Sequence, residues 1–341
     1  MIDWSQSYSA ILRVFRVNRD TWADAEQIEN VDSIEVSRTT DGELIESGGM
    51  DITGDFSSDY YRITLTAVQD NDVERVDIAT MLFDVNSGEV NYGTTKQSAE
   101  GFSVLYPASK TTMLAGEYAP AGVDGAEYAA QLLRDTINAP VKVEGSFTLN
   151  DNVVHEIGSN VLEAVWSVLN AGPDGGFCIQ IDGRGVVHIL PMPKEPALTI
   201  DTTNARLLTP GIQYDRDMSE IPNRYVVLVD GMKTIATNED PGSPVSTVAR
   251  GYTVDQTDES PLPVNGETIN DYAVKMLKQA SVLNDVRTYT REYAPDVNVF
   301  SIVRASIDGL EGDLRVQNQT IKCEHGIVVE EQANREVKLW Q

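Results

Sequence analysis

The side chains that could carry acid–base or nucleophilic chemistry are few and far apart in this sequence. Its 341 residues include three histidines, His155, His188 and His325, and two cysteines, Cys178 and Cys323. A zinc-protease helix needs two histidines four residues apart with a glutamate between them, and no histidine here has such a neighbour. The sequence also lacks the glycine-flanked serine of hydrolases and the phosphate-binding P-loop. We therefore predict no catalytic, cofactor-binding or metal-binding residue.

Two glycine-rich runs lack the spacing of a nucleotide-binding fingerprint. Residues 172–176 (GPDGG) and 182–185 (DGRG) are instead typical of turns with positive φ. The second run leads into a strand-like segment that contains His188, so we expect a structural or exposed role for this histidine.

Carboxylates are the abundant titratable groups, with 53 Asp and Glu residues against 26 Lys and Arg. A glycosidase needs only two carboxyl groups about 5 to 10 Å apart, so hydrolysis by an acidic pair stays open as an alternative. The run Asp70-Asn71-Asp72 lacks the glycine and the distal glutamate of a calcium loop, and we interpret it as a solvated turn. Glu330 and Glu331 are interpreted as the charged face of a strand.

The net charge of −27 limits the classes of partner. Such a surface repels nucleic acid, because binding to phosphates requires lysine and arginine to displace counterions. A sequence-reading nucleic-acid protein is therefore not expected. The acidity would suit a protein past which a polyanion must slide without adhering.

The compartment follows from features that the sequence lacks. Residues 1–5 (MIDWS) do not resemble a signal peptide, and no run approaches the roughly 18 apolar residues of a membrane span. Two cysteines are too few for a disulfide framework, and each lies in an alternating run that predicts a buried or half-buried thiol. We expect the protein to be made and folded in the cytoplasm.

Alternating apolar and polar residues predict strands over most of residues 1–108. The predicted strands are 8–17, 32–38, 60–68, 76–85, 89–94 and 98–105. The predicted turns are 40–42, 47–49, 70–72 and 86–88. Short strands about ten residues apart, with no helical period between them, favour an antiparallel barrel or sandwich.

The middle of the chain changes to a mixed α/β pattern. Apolar residues at helical spacing predict helices over 126–137, capped by Asp124, and over 160–169, capped by Ser159. A hairpin with strands 177–181 and 186–190 follows. The proline-rich residues 191–196 cannot form a central strand, because proline lacks the N–H donor, and they mark a predicted domain boundary.

Strands return after this boundary. They are predicted at 212–215, 223–230, 234–237, 285–293, 300–307, 315–324 and 327–339. A polar stretch at 238–263 and an amphipathic helix at 268–281 interrupt them.

Three stretches resemble the hub, or tail-associated, proteins at the distal end of phage tails and of related contractile injection particles. They are the hairpin-like start at 8–52, the loop, hairpin and proline segment at 172–196 followed by NRYVVL at 223–228, and the strands of 309–340. The resemblance implies a β-rich α+β fold with two small antiparallel β-barrel tube domains. The first would span 1–108 and the second 197–341, with an α/β insertion domain at 109–196 and a helical insertion near 238–281.

The same resemblance implies a structural role in assembly. Three chains would close a homotrimeric ring whose six barrels match the six-fold tail tube to a three-fold tip. Implied partners are a distal tail or tail tube protein, a central tip, spike or fibre protein, the tape measure protein, and passing DNA that is not specifically bound. The protein would work in the virion tail tip during genome ejection, without cofactors or enzymatic activity.

Two other functions stay open beside this one. The first is a tail-borne cell-wall hydrolase that uses a carboxylate pair. The second is a carbohydrate-binding adhesin, for which Trp22 and the pair Tyr60-Tyr61 could supply aromatic platforms, although aromatic pairs in strands are typical of cores.

Overall fold

Strands dominate the computed structural model of the chain. It describes residues 2, 4, 8–54, 56–91, 94–114, 116–172, 176–202, 211–229, 232–259, 261, 268–323 and 327–340. His325, residues 173–175 of the glycine-rich run and the end of the 238–263 stretch lie outside this part. No helix among the described residues has the length and hydropathy needed to cross a membrane.

The first hundred residues form long antiparallel strands, as their alternating pattern predicts. They are β1 (Ser9–Val17), β2 (Asp24–Ile28), β3 (Val31–Thr39), β4 (Glu46–Thr53), β5 (Asp59–Gln69), β6 (Asp72–Asn91) and β7 (Thr94–Phe102). Each pairs antiparallel with its neighbours in the order β3-β4-β7-β6-β5-β1-β2. A two-residue loop at Asp70 and Asn71 joins β5 to β6, and Asp70 has a positive φ of 52°.

The middle of the chain contains short helices and small sheets. In chain order these elements are α1 (Tyr106–Lys110), β8 (Tyr118–Ala119), α2 (Gly125–Arg134), β9 (Val141–Val143), β10 (Val153–Val154), α3 (Val161–Asn170), β11 (Phe177–Ile181) and β12 (Val187–Pro191). The predicted hairpin is β11-β12, and β9 extends it as a parallel third strand.

The remaining elements alternate between strands and two helices. They are β13 (Pro196–Ile200), β14 (Gln213–Asp215), β15 (Arg224–Val229), β16 (Met232–Thr237), α4 (Thr247–Arg250), β17 (Asp255–Asp258), α5 (Ile269–Ala280), β18 (Val282–Glu292), β19 (Ile302–Ile307), β20 (Leu310–Cys323) and β21 (Ile327–Lys338). The α5 helix begins after Thr268, whose hydroxyl accepts a hydrogen bond from the Asp271 backbone N–H. The predicted β-rich α+β fold class is confirmed.

Strands from both ends of the chain pair within one sheet. β20 pairs antiparallel with β3, and Ile321 lies opposite Val36. Because these two strands pair with each other, the first and last strand-rich stretches share one sheet, in which β2 is an edge strand. Closure into two separate barrels is not found among the described strands. The division at residues 108 and 196 stays a prediction.

Contacts divide the chain into two compact units. Unit 1 comprises residues 1–212 and 288–333, and unit 2 comprises 213–287 and 334–341. Unit 1 has two apolar clusters, one around the middle helices and one beneath the first strands. Unit 2 has its own cluster, in which α5 packs on β15 and β16 through Tyr272, Leu277 and Tyr225.

Two predicted turns were wrong. Residues 47–49 lie inside β4, where glycine is needed because a Cβ on Gly48 would lie 2.6 Å from the backbone oxygen of Glu35 on β3. Residues 86–88 lie inside β6, where the register against β7 shifts between Val85 and Ser87. Such a bulge accommodates turn-prone residues without ending the strand.

One predicted helix cap was also wrong. The cap of α3 is Asn160, whose side chain accepts a hydrogen bond from the Glu163 N–H at 2.9 Å. The Glu163 carboxylate in turn accepts from the Asn160 N–H at 3.0 Å, which completes a capping box that Ser159 could not form from its position.

Candidate functional site

His188 is held between two carboxylates in unit 1. It lies on β12, with Nδ1 2.6 Å from Glu144 Oε1 and Nε2 3.2 Å from Asp182 Oδ2. The hydrogen bond with Asp182, followed by that with Glu144, raises the pKa of His188. Burial alone would raise the pKa of Asp182, but hydrogen bonds from His188 and the Val186 N–H lower it. When His188 is protonated, both ring nitrogens donate to carboxylates, and neither is free to act as a base.

A cleft of about 200 Å³ lies beside this histidine. Two of its other polar side chains have protein partners. Arg38 pairs with Glu46 at 2.7 Å, and the Asn298 side chain donates to the Ile181 carbonyl at 2.7 Å.

The turn at residues 182–185 attaches the β11-β12 hairpin to the large sheet of unit 1. A Cβ on Gly183 would lie 1.6 Å from the Asp77 backbone oxygen, so only glycine fits there. Thr80 Oγ1 donates to the Gly183 carbonyl at 2.9 Å, and Trp22 Nε1 donates to the Arg184 carbonyl at 2.7 Å. The glycines of this run thus permit close packing of backbone on backbone, beyond the predicted turn.

The aromatic residues considered as carbohydrate platforms belong to packed regions. Tyr60 and Tyr61 are buried in separate apolar clusters of unit 1. Trp22 is half-buried and packs edge-on against Tyr60, with ring centroids 5.2 Å apart. These rings therefore do not form an exposed stacking surface, and the adhesin alternative loses the feature that motivated it.

The other candidate residues from the sequence do not come together. His155 is buried beside Tyr128, and neither ring nitrogen has a hydrogen-bond partner among the described residues. Burial lowers the pKa of His155. Cys178 and Cys323 are free buried thiols whose pKa burial raises to about 12, so both are unreactive thiols at neutral pH.

Acidic residues form no metal-binding cluster within the described ranges. Three or more His, Cys, Asp or Glu side chains suited to one ion are not found there. The run at 70–72 is the β5-β6 turn, as predicted. The interpretation of Glu330 and Glu331 as one charged face was wrong, because successive strand residues point to opposite faces. Glu330 is exposed and pairs with Lys322, whereas Glu331 is buried.

Glu331 is the centre of a buried polar network in unit 1. Its Oε2 accepts hydrogen bonds from Arg291 Nη2 at 2.5 Å and from Gln319 Nε2 at 2.7 Å. The Tyr289 hydroxyl donates to its Oε1. The sequence signal for this position is register, because Glu331 shares its strand face with the buried Val329 and Ala333. A fully partnered charge pair of this kind can fix the pairing of strands.

Unit 2 contains a comparable buried carboxylate, Asp285. Arg216 binds both of its oxygens at 2.8 and 3.1 Å, and Arg287 and Arg335 donate to Oδ2 at 3.0 and 3.1 Å. Burial alone would raise the pKa of Asp285, but the three guanidinium groups lower it. These charges join three separate stretches of the chain. Counts of charged residues do not reveal either network, because each depends on which face of a strand a residue occupies.

No protein-family model matches the chain, and no curated protein matches it in sequence. The fold, however, is similar to that of solved tail proteins. The tail protein from Neisseria meningitidis MC58 superposes with a TM-score of 0.62 at 14% identity, covering 96% of this chain and 97% of that one. The prophage MuSo2 43 kDa tail protein from Shewanella oneidensis gives 0.61 at 12% identity, covering 96% and 98%.

A third similar structure is a protein complex. The half-lidded Francisella PdpA–VgrG complex superposes with a TM-score of 0.55 at 8% identity, covering 96% of this chain and 58% of that one. At such identities the likeness establishes the fold. The chain has the fold of phage tail proteins, and the resemblance inferred from its sequence is confirmed at that level.

Proposed function

We propose that this protein is a structural component of a phage tail or of a related injection particle, placed at the tail tip or baseplate. The observation that carries the proposal is the fold likeness to two tail proteins over 97% and 98% of their own lengths. A likeness of this extent leaves little of either protein outside the shared fold. The role proposed for the whole chain is therefore that of the tail proteins whose fold it shares.

The finer role that we propose is that of a hub. Three copies would form a ring that joins the six-fold tail tube, through a distal tail or tube protein, to a central tip, spike or fibre protein. The two strand-rich parts of each chain would present two similar edges to the tube, which is how a three-fold ring can match a six-fold one. The tape measure protein would end at this ring before DNA passes.

The charge of the chain supports passage of DNA without binding. Three copies at −27 each would carry −81 formal charges, and an acidic channel would keep the outgoing phosphate backbone from adhering. The protein would be assembled into the virion tail tip in the host cytoplasm.

The chemistry of the described side chains supports a role in assembly over hydrolysis. His188 has both ring nitrogens engaged by carboxylates. Two buried carboxylates considered above, Glu331 and Asp285, are paired with arginines.

Copy number and location test the proposal together. Native mass spectrometry and sedimentation velocity of the full chain are expected to show a trimer, and reconstruction of particles that carry it is expected to place three copies at the tail tip. Deleting its gene should yield particles without complete tails. A ring of six copies, a single copy per particle, or normal tails in the deletion strain would contradict the proposal.

A further inference from the structure

Unit 1 exposes a group of large apolar side chains on its middle region. Leu114, Tyr118, Val154 and Ile157, here called the apolar patch, are 73%, 47%, 71% and 87% exposed. Tyr118 on β8 lies opposite Val154 on β10 in the two-stranded ladder. The loops beside this ladder are joined by a hydrogen bond from the Met113 N–H to the Ser159 carbonyl at 2.9 Å. The four side chains therefore belong to one small surface, and grouped exposure of this kind marks interaction sites.

The charged residues within the apolar patch are acidic. Glu117 precedes Tyr118, and Glu156 lies between Val154 and Ile157 in the sequence; both are exposed. The Glu117 carboxylate accepts a hydrogen bond from the Leu114 N–H at 3.1 Å, which holds this acid beside the apolar side chains. A partner for this surface should present apolar area with positive charge around it.

Unit 2 carries a groove with that character. It has a volume of about 920 Å³ and lies along α5 and the end of β21. Val274, Val282 and Trp340 supply its apolar lining. Its charged lining consists of Lys275, Lys278, Lys338, Asp271 and Glu336. The chain has only nine lysines, so three in one groove are a local concentration of positive charge in a strongly acidic protein.

A tryptophan and a lysine shape this groove. Lys278 Nζ lies 5.3 Å from the centroid of the half-buried Trp340 ring. The ring also packs against the apolar cluster of unit 2. Tryptophan is among the residues that contribute most binding energy at protein interfaces, and the ammonium group over its ring adds a cation–π contact.

We propose that the lysine–tryptophan groove of one copy receives the apolar patch of the next copy. The two surfaces are complementary in charge and both offer apolar area. Because copies with a net charge of −27 repel one another, association needs such local pairing of opposite charges. Contact between two different surfaces is head-to-tail, and it generates a ring when the rotation between successive copies closes. The inference rests on the ring proposed above and names the surfaces that close it.

Charge exchange on the full-length protein tests this contact. Lys278→Glu with Lys338→Glu, and separately Glu117→Lys with Glu156→Lys, should each raise the dissociation constant of the ring about tenfold or more. Combining all four substitutions should restore association to near the wild-type value. The control Lys142→Glu with Lys194→Glu makes the same change in net charge as the lysine pair, at two other exposed lysines, and should have a much smaller effect. Sedimentation velocity measures association, and circular dichroism verifies folding.

A second variant probes the apolar half of the contact. Ile157→Asp changes a side chain that is 87% exposed, so folding should be unaffected while association falls. If the wild type forms trimers and the substitutions leave trimer stability unchanged, the inference is overturned while the proposed ring stands. The same holds if the variant with all four charge substitutions fails to regain association. A wild type that remains monomeric would instead contradict the proposed ring. Capture of the patch by another tail protein, with rings unaffected, would also overturn the inference.

Discussion

Glu331 and Arg291 form a fully buried ion pair in which Oε2 of the glutamate accepts from both Nε and Nη2 of the arginine, at 3.1 and 2.5 Å. The two residues lie on β21 and β18 and are brought together within unit 1. Removal of one member would leave the other charge buried without a counterion, which costs far more than the intact pair contributes. This pair therefore specifies which residues of the two strands must meet.

The first prediction concerns this pair. Glu331→Gln should lower the free energy of unfolding by about 3 to 5 kcal/mol, because it leaves the Arg291 guanidinium uncompensated in the interior. Glu330→Gln is the matched control, since Glu330 is the neighbouring residue and pairs with Lys322 at the surface. The control should cost less than about 1 kcal/mol. Urea denaturation measures both, and equal losses would contradict the structural role assigned to the buried pair.

The second prediction concerns the approach of β4 to β3. Gly48→Ala should destabilise the protein by about 1 to 3 kcal/mol, because its Cβ would meet the Glu35 backbone oxygen at 2.6 Å and backbone cannot move aside cheaply. Gly49→Ala is the control, since the nearest atom to its Cβ would be the Ala99 oxygen at 3.9 Å. Thermal unfolding compares them. A Gly48→Ala protein as stable as Gly49→Ala would show that the two strands are farther apart.

The third prediction concerns pH and His188. Its pKa is raised in the folded protein, so the proton stabilises the fold below the ordinary value of 6.5, and this stabilisation is lost as pH rises through the folded pKa. His188→Gln should remove that part of the pH dependence and destabilise the protein more at pH 5.5 than at pH 8. Denaturation midpoints measured across this range provide the test.

His155 provides the contrast for this experiment. Burial lowers its pKa, so the folded protein resists protonation there and loses stability as pH falls below the ordinary 6.5. His155→Phe should therefore reduce the loss of stability on acidification, opposite in sign to the effect at His188. If both variants shift the pH profile in the same direction, the assigned environments are wrong.

The fourth prediction concerns catalysis. Purified full-length protein incubated with peptidoglycan or with host surface polysaccharide should release no fragments, because the described histidines and the buried carboxylates are already engaged or isolated. Fragment release that disappears when a single Asp or Glu is replaced by its amide would contradict this reading. A known lytic enzyme in the same assay serves as the positive control.

The alternation of apolar and polar residues determined most of the strands. β3 and β21 lie within one residue of their predicted bounds, because the burial of a half-buried strand repeats every two residues whatever lies beside it. The helix α2 was predicted from helical spacing after the Asp124 cap, and α5 was predicted from its amphipathic pattern. The sequence also showed the low content of histidine and cysteine and the resemblance to tail hub proteins.

Tertiary structure decided the features that depend on residues far apart in the chain. Gly48 suggested a turn until the neighbouring strand showed that its missing side chain makes room for Glu35. Glu331 looked like a surface charge until Arg291, 40 residues away, occupied the same interior. Pairing of β3 with β20 joins segments that no local pattern connects. Sequence periodicity records which face of a strand is buried, whereas the partner on that face is chosen by packing and charge neutralisation in three dimensions.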